Sequence, residues 1–137
     1  MDGIPKIESP FFDPAWFAEE SDEIQEVARS LHEEGFAVLD FPEPALEEMA
    51  ESIISELEPH FNMKQWRNGE NLDLRIHDAW KFSAKAKALA TNGKILSLLH
   101  KLYGRKPVPF QTLNFPVGTQ QHFHTDSVHF SSIPERF

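Results

Sequence analysis

The apolar residues of this chain repeat at helical spacing over residues 46–57, and that pattern constrains the fold more than any other feature. Six of them fall on one side of a helix, while glutamates occupy the opposite side: Leu46, Met49, Ala50, Ile53, Ile54 and Leu57. Pro59 then ends the pattern, because proline cannot continue a helix. The pattern predicts one amphipathic helix with a glutamate-rich face exposed to water.

Two weaker stripes predict further helices. The first covers residues 21–35, where Ser21 can cap the N-terminus and Gly35 can end the helix. The second covers residues 93–104. Residues 21–104 are therefore expected to be mainly helical, and residues 1–20, with three prolines among aromatic residues, to form an irregular leader that packs against another part of the chain.

Short apolar runs bounded by glycine or proline predict strands. They occupy residues 36–40, residues 108–115 and, less clearly, residues near 72–76. Helices come first and strands later, which indicates an α+β fold. Residues 105–137 are too few to close a sheet of the usual strand number, so we expect an unfinished sheet and an interrupted chain.

Residues 60–80 are largely polar and show no regular apolar pattern. Apart from the strand predicted less clearly near residues 72–76, they are expected to form a loop. Within them, Trp66 and Trp80 are expected to be core residues and not groups that stack on a ligand.

Composition excludes several classes of function. The chain has 137 residues, the length of one domain, and a net charge of −9, which argues against nucleic acid and anionic lipid as partners. It has no cysteine, hence neither disulfides nor a cysteine-ligated zinc site. Neither a signal peptide nor a membrane helix is visible in the sequence, so we expect a cytoplasmic protein that does not bind membranes.

The densest chemical signal is the segment of residues 120–129, which reads Gln-Gln-His-Phe-His-Thr-Asp-Ser-Val-His. His124 and Asp126 are two residues apart, so a strand would place both side chains on one face, within reach of one metal ion. Two histidines and one carboxylate on one face of an octahedron leave three open positions, the arrangement of non-haem iron(II) oxygenases.

The neighbouring residues resemble the phytanoyl-CoA dioxygenase family of iron(II)- and 2-oxoglutarate-dependent oxygenases. The sharpest similarity is in residues 110–121, Phe-Gln-Thr-Leu-Asn-Phe-Pro-Val-Gly-Thr-Gln-Gln, and in residues 124–130, His-Thr-Asp-Ser-Val-His-Phe. Residues 31–41 resemble the opening helix and strand of that family. Residues 75–80, Arg-Ile-His-Asp-Ala-Trp, match less specifically.

The resemblance implies a function and a fold. It implies an enzyme, a dioxygenase that uses Fe(II), 2-oxoglutarate and O2 to hydroxylate a C–H bond of a small-molecule or acyl substrate. The implied fold is a double-stranded β-helix, or cupin-like jelly roll, covered by N-terminal helices. This chain would form the N-terminal portion of that domain, with the helices and the first strands.

The resemblance also assigns residues. His124 and Asp126 become iron ligands, and Gln111, Thr112 and Asn114 become candidates for binding 2-oxoglutarate, although they are not expected to face the same way. The family's second histidine ligand and its 2-oxoglutarate-binding arginine follow well after the His-x-Asp motif, and no residue here matches them. We therefore expect the chain alone to be inactive and poorly stable.

Two alternatives remain open from the sequence. In the first, a structural zinc site uses His122, His124, Asp126 and His129 as a closed tetrahedral set. In the second, the domain has the same fold but no catalytic activity, since a fold alone does not determine function.

Overall fold

The computed structural model describes residues 5–70 and 74–118 of the chain. These residues form an α+β structure, as the order of the sequence patterns predicts. The helices are α1 (Asp22–Glu34), α2 (Leu46–Leu57), α3 (Met63–Arg67), α4 (Ala84–Ala90) and α5 (Gly93–Tyr103), and the strands are β1 (Ile76–His77) and β2 (Leu113–Asn114). Short 3₁₀ turns occupy Lys6–Glu8, Pro14–Phe17, Glu58–His60 and Ala79–Lys81.

The described residues divide into two compact units. The first unit contains residues 5–42 and 93–107, and therefore the leader, α1 and α5. The second contains residues 43–70, 74–92 and 108–118, and therefore α2, α3, α4 and both strands.

The core of the first unit joins the leader to α1 and α5. Its buried members are Ile7, Phe17, Val27, Ala28 and Leu102. Ile7 and Phe17 come from the two 3₁₀ turns of the leader, so this segment contributes to the core although it has no long helix or strand. The expectation that the leader packs against another part of the chain is confirmed.

Polar contacts hold the same leader against the two helices. His32 Nδ1 on α1 donates a hydrogen bond to the carbonyl oxygen of Ile7 at 3.0 Å, and its ring stacks on Phe12 with centroids 4.3 Å apart. Lys101 on α5 forms an ion pair with Glu20. The leader is thus attached by apolar, aromatic and charged contacts together.

The second unit has its own core, formed by Ile53, Leu57, Ala79 and Ala86. Ser83 is completely buried beside this core, and its hydroxyl group makes two hydrogen bonds. Its Oγ accepts a hydrogen bond from the Ala86 amide at the start of α4 (3.1 Å) and donates one to Glu56 Oε2 on α2 (2.6 Å). The cap of α4 therefore also fixes α4 to α2.

The sheet consists of a short antiparallel pair. Ile76 lies opposite Asn114, and His77 lies opposite Leu113. One residue beyond the ladder, the Asp78 amide donates to the carbonyl oxygen of Thr112 at 2.8 Å. This hydrogen bond fixes the position at which the chain enters β2.

The three helices that the apolar stripes predict are confirmed. Ser21 Oγ caps α1 by accepting from the Ile24 amide at 3.5 Å, and Gly35 ends the helix with φ at 80°, a left-handed conformation that glycine adopts without strain. The short helices α3 and α4 were not predicted. The alanine-rich α4 has a serine cap and good helix formers but only a weak apolar stripe.

The predictions of strands were less accurate. The prediction of a strand over residues 36–40 is wrong, because this segment pairs with no strand among the described residues and exposes Phe36 and Val38. The strand predicted over residues 108–115 is limited to β2. Pro109 lacks the amide hydrogen that a ladder needs, which explains part of this shortening. In the part of the chain that the structure describes, no helix has the length and hydropathy needed to cross a membrane.

The neighbouring isoleucines of α2 allow a direct test of which face is buried. Ile53 is 8% exposed and Ile54 is 66% exposed. We expect Ile53→Ala to lower the free energy of unfolding by about 2–5 kcal/mol, since it removes buried methyl groups and leaves a cavity. Ile54→Ala should change that free energy by no more than about 0.5 kcal/mol. Urea unfolding of the two variants provides the measurement, and equal losses would contradict the assignment of the faces.

Candidate functional site

A cavity of about 200 Å³ lies in the second unit, between α4 and the segment that leads into β2. The residues that matter most to its chemistry are Trp80, Lys87, Thr91, Phe110, Gln111 and Thr112. Two of the three residues expected to bind 2-oxoglutarate, Gln111 and Thr112, thus line the same cavity.

Hydrogen bonds attach Gln111 to strand β1 and Thr112 to the turn that follows it. Thr112 Oγ1 accepts a hydrogen bond from the Trp80 amide at 3.5 Å, which leaves the hydroxyl proton of Thr112 available for another acceptor. Gln111 Nε2 donates to His77 Nδ1 at 3.4 Å, and its second N–H remains available. Both residues therefore present donors that a carboxylate could use.

Asn114 is placed differently. It lies in β2, is half-buried, and is not among the residues that line the cavity. Its Oδ1 is buried and has no hydrogen-bond partner among the described residues. A buried polar atom without a partner costs free energy, so the amide group of Asn114 is suited to a partner outside the described residues.

Asp78 has an unusual backbone conformation beside the cavity. Among the described residues other than glycine, it is the one with positive φ, at 56°, and ψ at 38°. This left-handed conformation is uncommon for residues with a side chain, although aspartate tolerates it better than most. Such strained residues are concentrated at binding and catalytic sites.

The side chain of Asp78 joins the turn to the cavity wall. Its Oδ2 accepts from Lys81 Nζ at 2.7 Å, and its Oδ1 accepts from Trp80 Nε1 at 3.3 Å. The hydrogen bond from Lys81 is the largest cause that lowers the pKa of Asp78 below its ordinary value of 3.8. Partial burial opposes this effect, and the bond from Trp80 adds to it. Asp78 thus remains charged and holds the indole of Trp80.

Two lysines near the cavity differ in their contacts. Lys81 is engaged by Asp78 and lies over the Trp80 ring, 5.6 Å from its centroid. Lys87 lines the cavity, and its ammonium makes no hydrogen bond or ion pair with any residue in the described ranges. Lys87 is therefore the cation that the cavity offers to a ligand.

The predicted metal ligands His124 and Asp126 lie outside the described residues, and so do His122 and His129 of the alternative zinc site. Within residues 5–70 and 74–118, no group of three histidines or carboxylates is arranged to hold a metal ion. The assignment of the metal ligands therefore stays a prediction from the sequence.

The structure changes the expectations for individual residues. Gln111 and Thr112 line the cavity together because they precede β2 and do not follow the alternation of a regular strand. Trp80, expected in the core, is half-buried and forms a cavity wall. The sequence analysis missed Asp78 and Lys87 as candidates, since nothing in the local pattern distinguishes them from surface charges.

Comparison of this chain with protein families, with curated proteins and with solved structures finds no match. Its function must therefore be inferred from its own residues and their geometry.

The charge on Asp78 should make the stability of this turn depend on pH. The pKa of Asp78 is lowered on folding, so its contribution is fully present above the unfolded pKa and is lost as the pH falls through the folded pKa. Asp78→Asn tolerates the left-handed backbone and keeps an acceptor for Trp80, but it removes the charge.

We expect Asp78→Asn to unfold at lower urea concentration than the native protein at neutral pH, and the two midpoints to converge below pH 4. Urea titrations across that range provide the measurement. A difference that stays constant as the pH falls would show that the charge of Asp78 does not act on folding.

Proposed function

We propose that this chain carries two iron ligands and the cosubstrate-binding segment of an iron(II)- and 2-oxoglutarate-dependent dioxygenase of the phytanoyl-CoA dioxygenase family. The observation that carries the proposal is the order of residues in one block. Gln111, Thr112 and Asn114, all donors for a carboxylate, precede the His124-Thr125-Asp126 motif by a short interval. Support for the implied jelly roll comes from the antiparallel pairing of β1 with β2, the kind of pairing from which such a fold is built.

His124 and Asp126 would hold the metal. Imidazole and carboxylate are the donor set of non-haem iron(II) sites that keep positions open for other ligands. When bound, iron(II) together with 2-oxoglutarate and O2 supplies the oxidising power to hydroxylate a C–H bond, and it leaves succinate and CO2 as the other products. The residues of the chain would orient the ligands and exclude water from the site.

The polar residues of the described structure fit a carboxylate-bearing cosubstrate. The buried Asn114 Oδ1 lacks a partner in the described part of the chain, and rotation of the amide by 180° would present its N–H groups in the same place. Gln111 and Thr112 each have a donor available. The further histidine and the arginine that the resemblance implies have no matching position here, so the tests address binding before turnover.

The ligand assignment can be tested on the metal-free protein by titration with iron(II) under anaerobic conditions. We expect His124→Ala to weaken iron(II) binding by more than about tenfold, since even changes in the residues around metal ligands cost that much. His122→Ala should retain the native affinity, because the resemblance assigns no ligand at that position.

An equal loss in the two variants would contradict this assignment. It would favour the local set of His122, His124 and Asp126, and a preference for zinc over iron(II) in the same titration would favour the structural zinc site.

The role of Asn114 can be tested by calorimetric titration of the iron-loaded protein with 2-oxoglutarate, also without oxygen. We expect Asn114→Ala to weaken binding by about tenfold, since a hydrogen bond to a charged group contributes about 1.5 kcal/mol or more. Leu113→Ala is the matched control, because Leu113 is the neighbouring β2 residue and is partly exposed. If both variants bind like the native protein, Asn114 does not contact the cosubstrate.

A further inference from the structure

The cavity beside α4 has the dimensions and the lining of a binding site for a small molecule. Its volume of about 200 Å³ is below that of sites for drug-sized ligands, about 300–1,000 Å³. Aromatic walls come from Trp80 and Phe110, and polar groups come from Gln111 and Thr112. Apolar walls with a few converging polar groups are typical of sites that bind and orient small ligands.

The walls of this cavity are fixed by contacts within the protein. The indole of Trp80 is held by Asp78 Oδ1, and the Trp80 amide is bonded to Thr112 Oγ1. The carbonyl oxygen of Thr112 accepts a hydrogen bond from the amide of Asp78, whose backbone is in a left-handed conformation. A site whose walls are already ordered loses little conformational entropy when a ligand binds.

The charge of the lining selects for a single negative charge. Among the described residues that line the cavity, Lys87 is the one that carries a charge, and its ammonium has no partner in the described part of the chain. Thr91 does not compete as a donor, because its hydroxyl already donates to the Lys87 carbonyl oxygen at 2.8 Å. The donors that remain are the Lys87 ammonium, the Thr112 hydroxyl and the second N–H of Gln111.

We propose that this cavity binds a small monocarboxylic acid with a flat apolar body. Its carboxylate meets Lys87, Gln111 and Thr112, and its body lies against Trp80 and Phe110. If the chain is an oxygenase as proposed above, this acid is its substrate class. Binding of the acid to the cavity does not depend on that proposal; only its role as a substrate does. It replaces the cosubstrate role that the resemblance gives to Gln111 and Thr112, because both line this cavity, and it leaves Asn114, which does not line it, as the residue that contacts the cosubstrate.

The test uses the complete chain without metal and in the presence of a chelator. Of the three tryptophans, Trp16 and Trp66 are changed to phenylalanine, so that the emission reports Trp80 alone. The probes are benzoate, its neutral isostere benzamide, and acetate, which lacks the flat body. We expect benzoate to change the emission of Trp80 and to bind about tenfold more tightly than benzamide, since charge-assisted hydrogen bonds are about twice as strong as neutral ones. Acetate should also bind about tenfold more weakly, because it has no ring to bury against Trp80 and Phe110.

Variants of Lys87 test the origin of this preference. Lys87→Gln should abolish the difference between benzoate and benzamide, and Lys87→Arg should restore most of it because the charge is kept. Lys64→Gln is the matched control: Lys64 is an exposed lysine of the same unit that does not line the cavity, and the net charge changes equally. Lys87 is itself exposed, so its variants are expected to fold, and a thermal melt checks this.

The proposal is overturned if benzamide binds as tightly as benzoate, if Lys87→Gln leaves the preference intact, or if none of the probes affects Trp80. Failure here is distinguishable from failure of the dioxygenase proposal, because no metal is present in this experiment. If benzoate binds but iron(II) does not bind specifically, the cavity is a binding site for a monocarboxylic acid, but it is not the substrate site of an oxygenase. The reverse result would leave the iron ligands in place and assign a different substrate class.

Discussion

The hydrogen bond from the Asp78 amide to the Thr112 carbonyl oxygen, 2.8 Å long, is the contact on which the arrangement of the cavity depends. It continues the short ladder between β1 and β2, so it fixes the position of the residues that enter β2. Asp78 has a left-handed backbone conformation at the point where the chain passes from this hydrogen bond into the 3₁₀ turn Ala79–Lys81. The ion pair with Lys81 and the bond to Trp80 offset the cost of that conformation.

In the first unit the corresponding constraint is the packing of the leader. Two short 3₁₀ turns bury Ile7 and Phe17, which have no amphipathic helix or strand around them to predict their burial. His32 holds this segment by a hydrogen bond and by stacking on Phe12. Aromatic residues and prolines thus build a core where regular backbone hydrogen bonding is sparse, and side-chain contacts over long sequence distances replace it.

The candidate site was predictable from the sequence only in part. The pattern of His124 and Asp126 predicts a metal site, because alternation along a strand depends on local backbone geometry alone, and this assignment stays a prediction since both residues lie outside the described part of the chain. Gln111 and Thr112 were selected by resemblance, and the structure brings both to one cavity, against the strand alternation expected of them. Lys87 and Trp80 became candidates only when the fold placed α4 and the turn after β1 beside these residues.

The sequence by itself determined the three longer helices, the two caps of α1 and the α+β class, since these follow from periodicity and from hydrogen bonds within a few residues. Only the tertiary structure decided whether a strand-like segment pairs. Residues 36–40 and 108–115 have similar apolar runs, yet within the described ranges only the second run pairs with another strand, and only over Leu113–Asn114. The physical reason is that a helix satisfies its backbone groups internally, whereas a strand requires a second segment that the local sequence does not specify.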